Sequence, residues 1–163
     1  MWRRRSKLHL VANFVHDPRE SACIRGEMNL AVCYLTSAVI VGTGIDIVEV
    51  PRIAAAVERF GERFLNRVFT ASEIRYCRSK QNAMERLAAR FAAKEAGFKA
   101  IGTGWRHGVT WRDVEVGREP GGRPTLCFSG HAAEFAARLG VRRTSLSLSH
   151  TAEQAIAEVI LED

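Results

Sequence analysis

The sequence predicts an α+β fold, with helices packed on a small antiparallel sheet. Two observations carry it. Helical patterns and caps cluster between Pro51 and Gly102, while period-two alternation takes over from Thr110 onward. A single strand-like run, Ala38–Val50, precedes the helices. Helices gathered in one half and strands mostly in the other is the α+β signature.

Each element has its own local reason. Ala38–Val50 is rich in Val and Ile and ends before Pro51. Pro51 suits a first helical position, so Arg52–Phe60 is expected as a helix stopped by Gly61, with one or two further turns over Glu62–Val68. Thr70-Ala71-Ser72-Glu73 has capping-box spacing and starts a helix to about Arg78. Asn82-Ala83-Met84-Glu85 repeats that spacing and opens a long helix to Ile101, with Gly102 as its stop. Thr110–Val116 and Pro124–Phe128 read as strands around the turn Glu119-Pro120-Gly121-Gly122. Ala132–Leu139 is a short helix closed by Gly140, and Arg143–Ser149 and Gln154–Leu161 are the last strands.

At 163 residues the chain suits one well-buried core and not two. Residues 1–38 differ from the rest: a basic start, a polar stretch and the apolar run Leu30–Val41, too short to span a membrane. Asp17, Glu20 and Glu27 separate basic start from apolar run, which fits a secretory signal poorly. Val39 reads as an alternative first residue, so 1–38 is expected to be dispensable and 39–163 to be the functional domain. The formal net charge of +6 favours acidic or phosphorylated partners. Over residues 39–163 there are 18 basic against 15 acidic residues, which weakens a nucleic-acid reading. Cys23, Cys33, Cys77 and Cys127 show no CxxC spacing and read as free thiols in a reducing cytoplasm.

The long helix carries the chemistry. At 100° per residue Met84, Leu87, Phe91 and Phe98 fall within about 60° and define the expected buried stripe. Glu95 lies about 20° beyond Met84, and Lys99 about 40° further. They are either an ordinary surface i,i+4 pair or part of a site. Asp46 bears on that choice, because Asp is depleted in strands and this one sits between Ile45 and Ile47. Gly42 and Gly44 on its own face leave room for a ligand or for close backbone approach. If Asp46 and Glu95 meet, two carboxylates with room for waters and phosphate oxygens form a set that Mg²⁺ accepts.

Lys99 would then face a phosphate as a point charge. Arg86 and Arg90 lie on another side of the helix, as a solvated face or an anion site, and Lys94 lies near the apolar stripe. His150, at the end of a hydroxyl-rich strand, is either structural or a phosphate contact. Arg52, Arg59, Arg63 and Arg67 share a face if their helix continues past Gly61, either solvated or a docking surface for an acidic protein.

VGTGIDIVEVPRI, FTASE, RLAARFAAKEAGFKAIGTG, GGRP and SLSHT, in that order, resemble the bacterial holo-[acyl-carrier-protein] synthases, the short 4′-phosphopantetheinyl transferases of fatty-acid synthesis. The resemblance covers about residues 39–163. It implies Mg²⁺-dependent transfer of phosphopantetheine from coenzyme A to a serine of apo-acyl carrier protein, leaving adenosine 3′,5′-bisphosphate. It implies the fold of that superfamily, a homotrimer with each active site between two subunits, and no nucleic-acid or membrane partner. By residue, it implies metal binding by Asp46 and Glu95, Lys99 and His150 on the coenzyme A phosphate side, Arg90 near the nucleotide phosphate, and Arg52 and Arg67 against the acidic carrier helix. Gly97 departs from the family pattern, where a bulkier residue is frequent, and is expected to alter the pocket wall. The runner-up readings are a broad-specificity transferase for polyketide or peptide carriers, and a non-catalytic basic module binding RNA or a nucleotide.

Overall fold

The computed structural model describes residues 38–163 apart from 105 and 107. The expectations for the N-terminal extension, for Cys23 and Cys33 and for the apolar run up to residue 37 lie outside the described residues. The elements run β1 (Ile40–Glu49), α1 (Val50–Val68), α2 (Ala71–Arg78), α3 (Ala83–Ala100), β2 (Val114–Arg118), β3 (Pro124–Phe128), α4 (Gly130–Arg138), β4 (Arg143–His150) and β5 (Gln154–Glu162). Three strands form an antiparallel sheet in the order β1-β5-β4, and β2 and β3 form a separate hairpin.

The long helix α3 lies against this sheet and buries more than the expected stripe, of which Leu87 and Phe98 are in the core. Met84 is exposed and Phe91 only half-buried, while Ala88, Ala89, Ala92, Ala93, Ala96 and Ala100 are buried. Small residues win because the helix approaches the sheet too closely for large ones. A Cβ on Gly42 would lie 2.2 Å from the Ala100 carbonyl oxygen, and one on Gly44 2.0 Å from that of Ala96. The two glycines therefore serve close backbone approach; the helix occupies the room that the sequence left open for a ligand. Glu95 and Lys99 fall on the side of α3 that the sheet leaves open.

Three local expectations are refined. Helix α1 continues through Gly61, but that residue breaks it with φ 52° and ψ −134°, so the arginines on either side do not form one straight row. The Asn82 side chain makes no cap to a backbone N–H; its Oδ1 accepts from Arg86 Nε at 2.8 Å instead. The second strand begins late, because Trp111–Asp113 forms a 3₁₀ turn capped by Thr110, whose hydroxyl and backbone N–H both donate to Asp113. By contrast, the capping box of Thr70 and Glu73 forms as the spacing requires.

Register fixes which strand residues meet α3. Asp46 pairs with Ala157 and Val48 with Ala155, facing inward with Gly44. The alternate positions point away from the helix, leaving Ile45, Ile47 and Ile156 at 57%, 59% and 38% exposure.

Candidate active site

The structure brings Asp46, Glu95 and Lys99 together, from the middle of β1 and the last two turns of α3. Lys99 Nζ donates to Asp46 Oδ1 at 2.8 Å and to the Ile45 carbonyl at 2.8 Å. Burial pushes the Glu95 carboxyl above its ordinary pKa, and the Asp46 charge pushes it the same way. Lys99 and Arg52 pull it back. The surface i,i+4 pair is thus replaced: Lys99 reaches across to the strand. Arg52, expected on the carrier, also sends its charge toward Glu95.

Two carboxylates whose charges oppose each other form a place for a cation. Among the described residues no group of three or more His, Cys, Asp or Glu is arranged to hold a metal. A metal here would therefore complete its shell with water or substrate oxygens, as Mg²⁺ does readily. The residues fit that ion: hard oxygen ligands, with one carboxyl already disfavoured as a lone anion.

Arg90 and His150 belong to a second cluster. On the helical wheel Arg90 lies about 140° from Glu95. The structure overturns a solvated face for it, because Arg90 is only 4% exposed. Its guanidinium stacks on the Tyr76 ring at 4.3 Å, and Arg118, Lys80 and Arg86 approach the same ring at 5.3, 5.5 and 5.7 Å. Arg86 also donates to the Tyr76 hydroxyl at 3.1 Å. Arg90 Nε is buried with no hydrogen-bond partner. Tyr76, Arg86, Arg90 and Arg118 line a cavity of about 90 Å³, with His150 at its wall and its Nδ1 3.7 Å from Glu85 Oε2. Cations crowded around one ring, one of them with an unused buried donor, define an anion site on a phosphate's scale. Sequence reasoning missed Tyr76 and Arg118, since nothing local marks residues that meet only through α2, α3 and β2.

Arg67 lies elsewhere again. It lines a groove of about 430 Å³ with Phe60, Arg63, Phe64, Phe91 and Trp111. This is an apolar trough with a basic rim, built where the broken α1 crosses α3. The Phe91 and Trp111 rings stack at 4.6 Å. The aromatic wall was also missed, because Phe91 read as core and Trp111 as strand. Gly97 does not face this site: a Cβ there would meet Val114 and Leu126 side chains of the hairpin at 3.3 Å.

A family model described as the 4′-phosphopantetheinyl transferase superfamily matches residues 42–157. A holo-[acyl-carrier-protein] synthase of Koribacter versatilis is 69% identical over 124 residues, which is 76% of this chain and 99% of that protein. One from Solibacter usitatus is 56% identical over 124 residues, with the same coverage. Among solved structures, the holo-[acyl-carrier-protein] synthase of Neisseria meningitidis aligns with TM-score 0.70 and 34% identity, covering 77% of this chain and all of that one. That of Helicobacter pylori in complex with coenzyme A aligns with TM-score 0.65 and 34% identity, covering 73% of this chain and 98% of that one. The chain belongs to the 4′-phosphopantetheinyl transferase superfamily, and its α+β fold is that of these enzymes.

Proposed function

We propose that this protein is a holo-[acyl-carrier-protein] synthase, which moves 4′-phosphopantetheine from coenzyme A to a serine of apo-acyl carrier protein. The serine hydroxyl gives its proton to Glu95 or to water, its oxygen bonds to the pantetheine-side phosphorus, the pyrophosphate bridge breaks, and adenosine 3′,5′-bisphosphate leaves. The observation that carries the reading is the near-complete match to enzymes of that name, with Asp46, Glu95 and Lys99 gathered at one place.

Asp46 and Glu95 would hold Mg²⁺, which when bound neutralises charge on the pyrophosphate oxygens. The other groups act as positioned charges, the main protein contribution in phosphoryl-type transfer. Lys99, anchored by the Ile45 carbonyl, keeps its ammonium at the mouth of the site for a phosphate oxygen. The guanidinium cage around Tyr76, with Arg90 and His150, suits the nucleotide phosphate of coenzyme A. The groove at Arg67 suits an amphipathic acidic helix of the carrier, apolar face down and acids on the rim. Arg52 adds positive potential beside the acids, for an incoming carrier.

The remaining expectations enter as part of the same proposal. Residues 39–163 are the catalytic domain, so a chain starting at Val39 should fold and load carrier. The subunits assemble as homotrimers through the outer sheet face that carries Ile45, Ile47 and Ile156. No helix among the described residues is long and apolar enough to cross a membrane, and free Cys77 and Cys127 suit a reducing cytoplasm. The deciding experiment incubates the protein with coenzyme A, Mg²⁺ and apo-acyl carrier protein, then weighs the carrier. A gain of one phosphopantetheine is expected; no gain across several carriers overturns the proposal.

A further inference from the structure

Lys94 is 0% exposed and Glu73 beside it 1%. Two charges taken out of water are costly unless every polar atom finds a partner. Here the partners are present. Lys94 Nζ lies 2.9 Å from Glu73 Oε2 and donates to the carbonyls of Trp111, at 3.1 Å, and Val114. Glu73 accepts the Thr70 N–H through Oε2 and the Val116 N–H through Oε1. One ion pair thus joins α2, α3, β2 and the turn between Trp111 and Val114.

Apolar side chains of similar volume commonly stabilise a core as well as such a pair does. What they lack is direction. The ammonium holds a carbonyl at each end of the 3₁₀ turn, so the turn is clamped to α3 at both ends. The clamp sets the indole, which stacks on Phe91 and meets the edge of Phe98 at 5.4 Å. Trp111 is a wall of the groove beside Arg67. Lys94 also directly precedes Glu95, so the residue that fixes the groove wall adjoins the candidate metal ligand in the same helix.

We infer that the buried Lys94–Glu73 pair positions Trp111 as a wall of the carrier-docking groove, acting on carrier recognition and not on coenzyme A binding. Lys94 is a positioning residue; it reaches the carrier only through Trp111. The inference rests on the docking reading above.

The test is a double-mutant cycle of K94M with W111A, following KM for the carrier and for coenzyme A separately. K94M is expected to raise the carrier KM about tenfold with coenzyme A KM unchanged, the pattern of lost ground-state binding. W111A should do the same, and the double variant should add little to either, because both act at one place. Trp111 emission, read with Trp2 and Trp105 replaced by Phe, should shift on K94M without any carrier present. Where K94M fails to fold, E73Q removes the charge at nearly constant shape and enters the same cycle. Additive effects, an equal rise in coenzyme A KM, or unchanged Trp111 emission would overturn the inference. A parent enzyme that loads no carrier would instead overturn the functional reading, while the emission arm still tests the clamp.

Discussion

Glu95 is half-buried with Asp46 beside it, so the folded chain holds it less comfortably as an anion than water does. A carboxyl whose folded pKa is raised binds its proton more tightly in the folded than in the unfolded state. Stability then falls as pH rises from the unfolded value, about 4.3 for Glu, through the folded one. Neutralising this residue should therefore stabilise the protein at pH 7 and give no gain at pH 4. Thermal unfolding of E95Q at the two pH values measures this. The same substitution should lower carrier loading at least about a hundredfold, if the acid belongs to the charge-stabilising machinery. It should also abolish the rise in Tm that Mg²⁺ with coenzyme A gives the parent enzyme. The residue-level signals were uneven in the sequence. Asp46 was visible because an acid in a Val/Ile strand conflicts with local preference, and Glu95 because it borders a helical stripe. Arg90 looked like surface, since a wheel cannot show that α2 and the hairpin cover it. Lys94 looked like margin, since its partner Glu73 lies 21 residues earlier in another helix's cap.

At the scale of elements, the fold turns on how closely α3 approaches β1. The strand and helix were legible from period and caps, but only part of the surface that α3 buries was: Leu87 and Phe98 are in the core as their period requires. The large apolar residues marked one buried side, and the alanines, silent on a hydrophobic wheel, mark the further side that meets the sheet. Packing against glycines made the difference: Ala96 and Ala100 carbonyls occupy the volume of the missing side chains on Gly44 and Gly42. Gly44→Ala must push backbone against backbone, with Cβ 2.0 Å from an oxygen. A loss of at least about 2 kcal/mol is expected by urea unfolding. Gly97→Ala is the control. Its Cβ would meet only side chains, at 3.3 Å or beyond, and Ala favours a helix interior by up to about 1 kcal/mol over Gly. Its net effect should stay within about 1 kcal/mol of zero, with carrier loading near the parent's. A large loss there would mean that the hairpin cannot yield by a few tenths of an ångström.

At the scale of the molecule, the two charged clusters lie on different flanks of the same helix. Asp46, Glu95 and Lys99 face the open edge by β1, while Arg90 and His150 face the side of α2 and the hairpin. On the proposed function, one coenzyme A would place its pyrophosphate at the first and its nucleotide phosphate at the second. In the proposed homotrimer a site completed between two copies would resolve this, the acids from one subunit and the cage from its neighbour. The exposed isoleucines of the outer sheet face would supply the apolar surface to hold such copies together. Light scattering should report a trimer, and I47D should shift it toward monomer while circular dichroism stays unchanged. The sharper consequence is complementation. D46A lacks the metal side and H150A the cage side, and each alone should load carrier poorly. Co-expressed in equal amounts, they form some interfaces that pair an intact Asp46 from one variant with an intact His150 from the other. Random assembly gives this at about one interface in four, so loading should recover to about a quarter of the parent's. Recovery to no more than the mean of the two variants alone would show that each subunit builds its site unaided. The two clusters would then have to serve separate ligands.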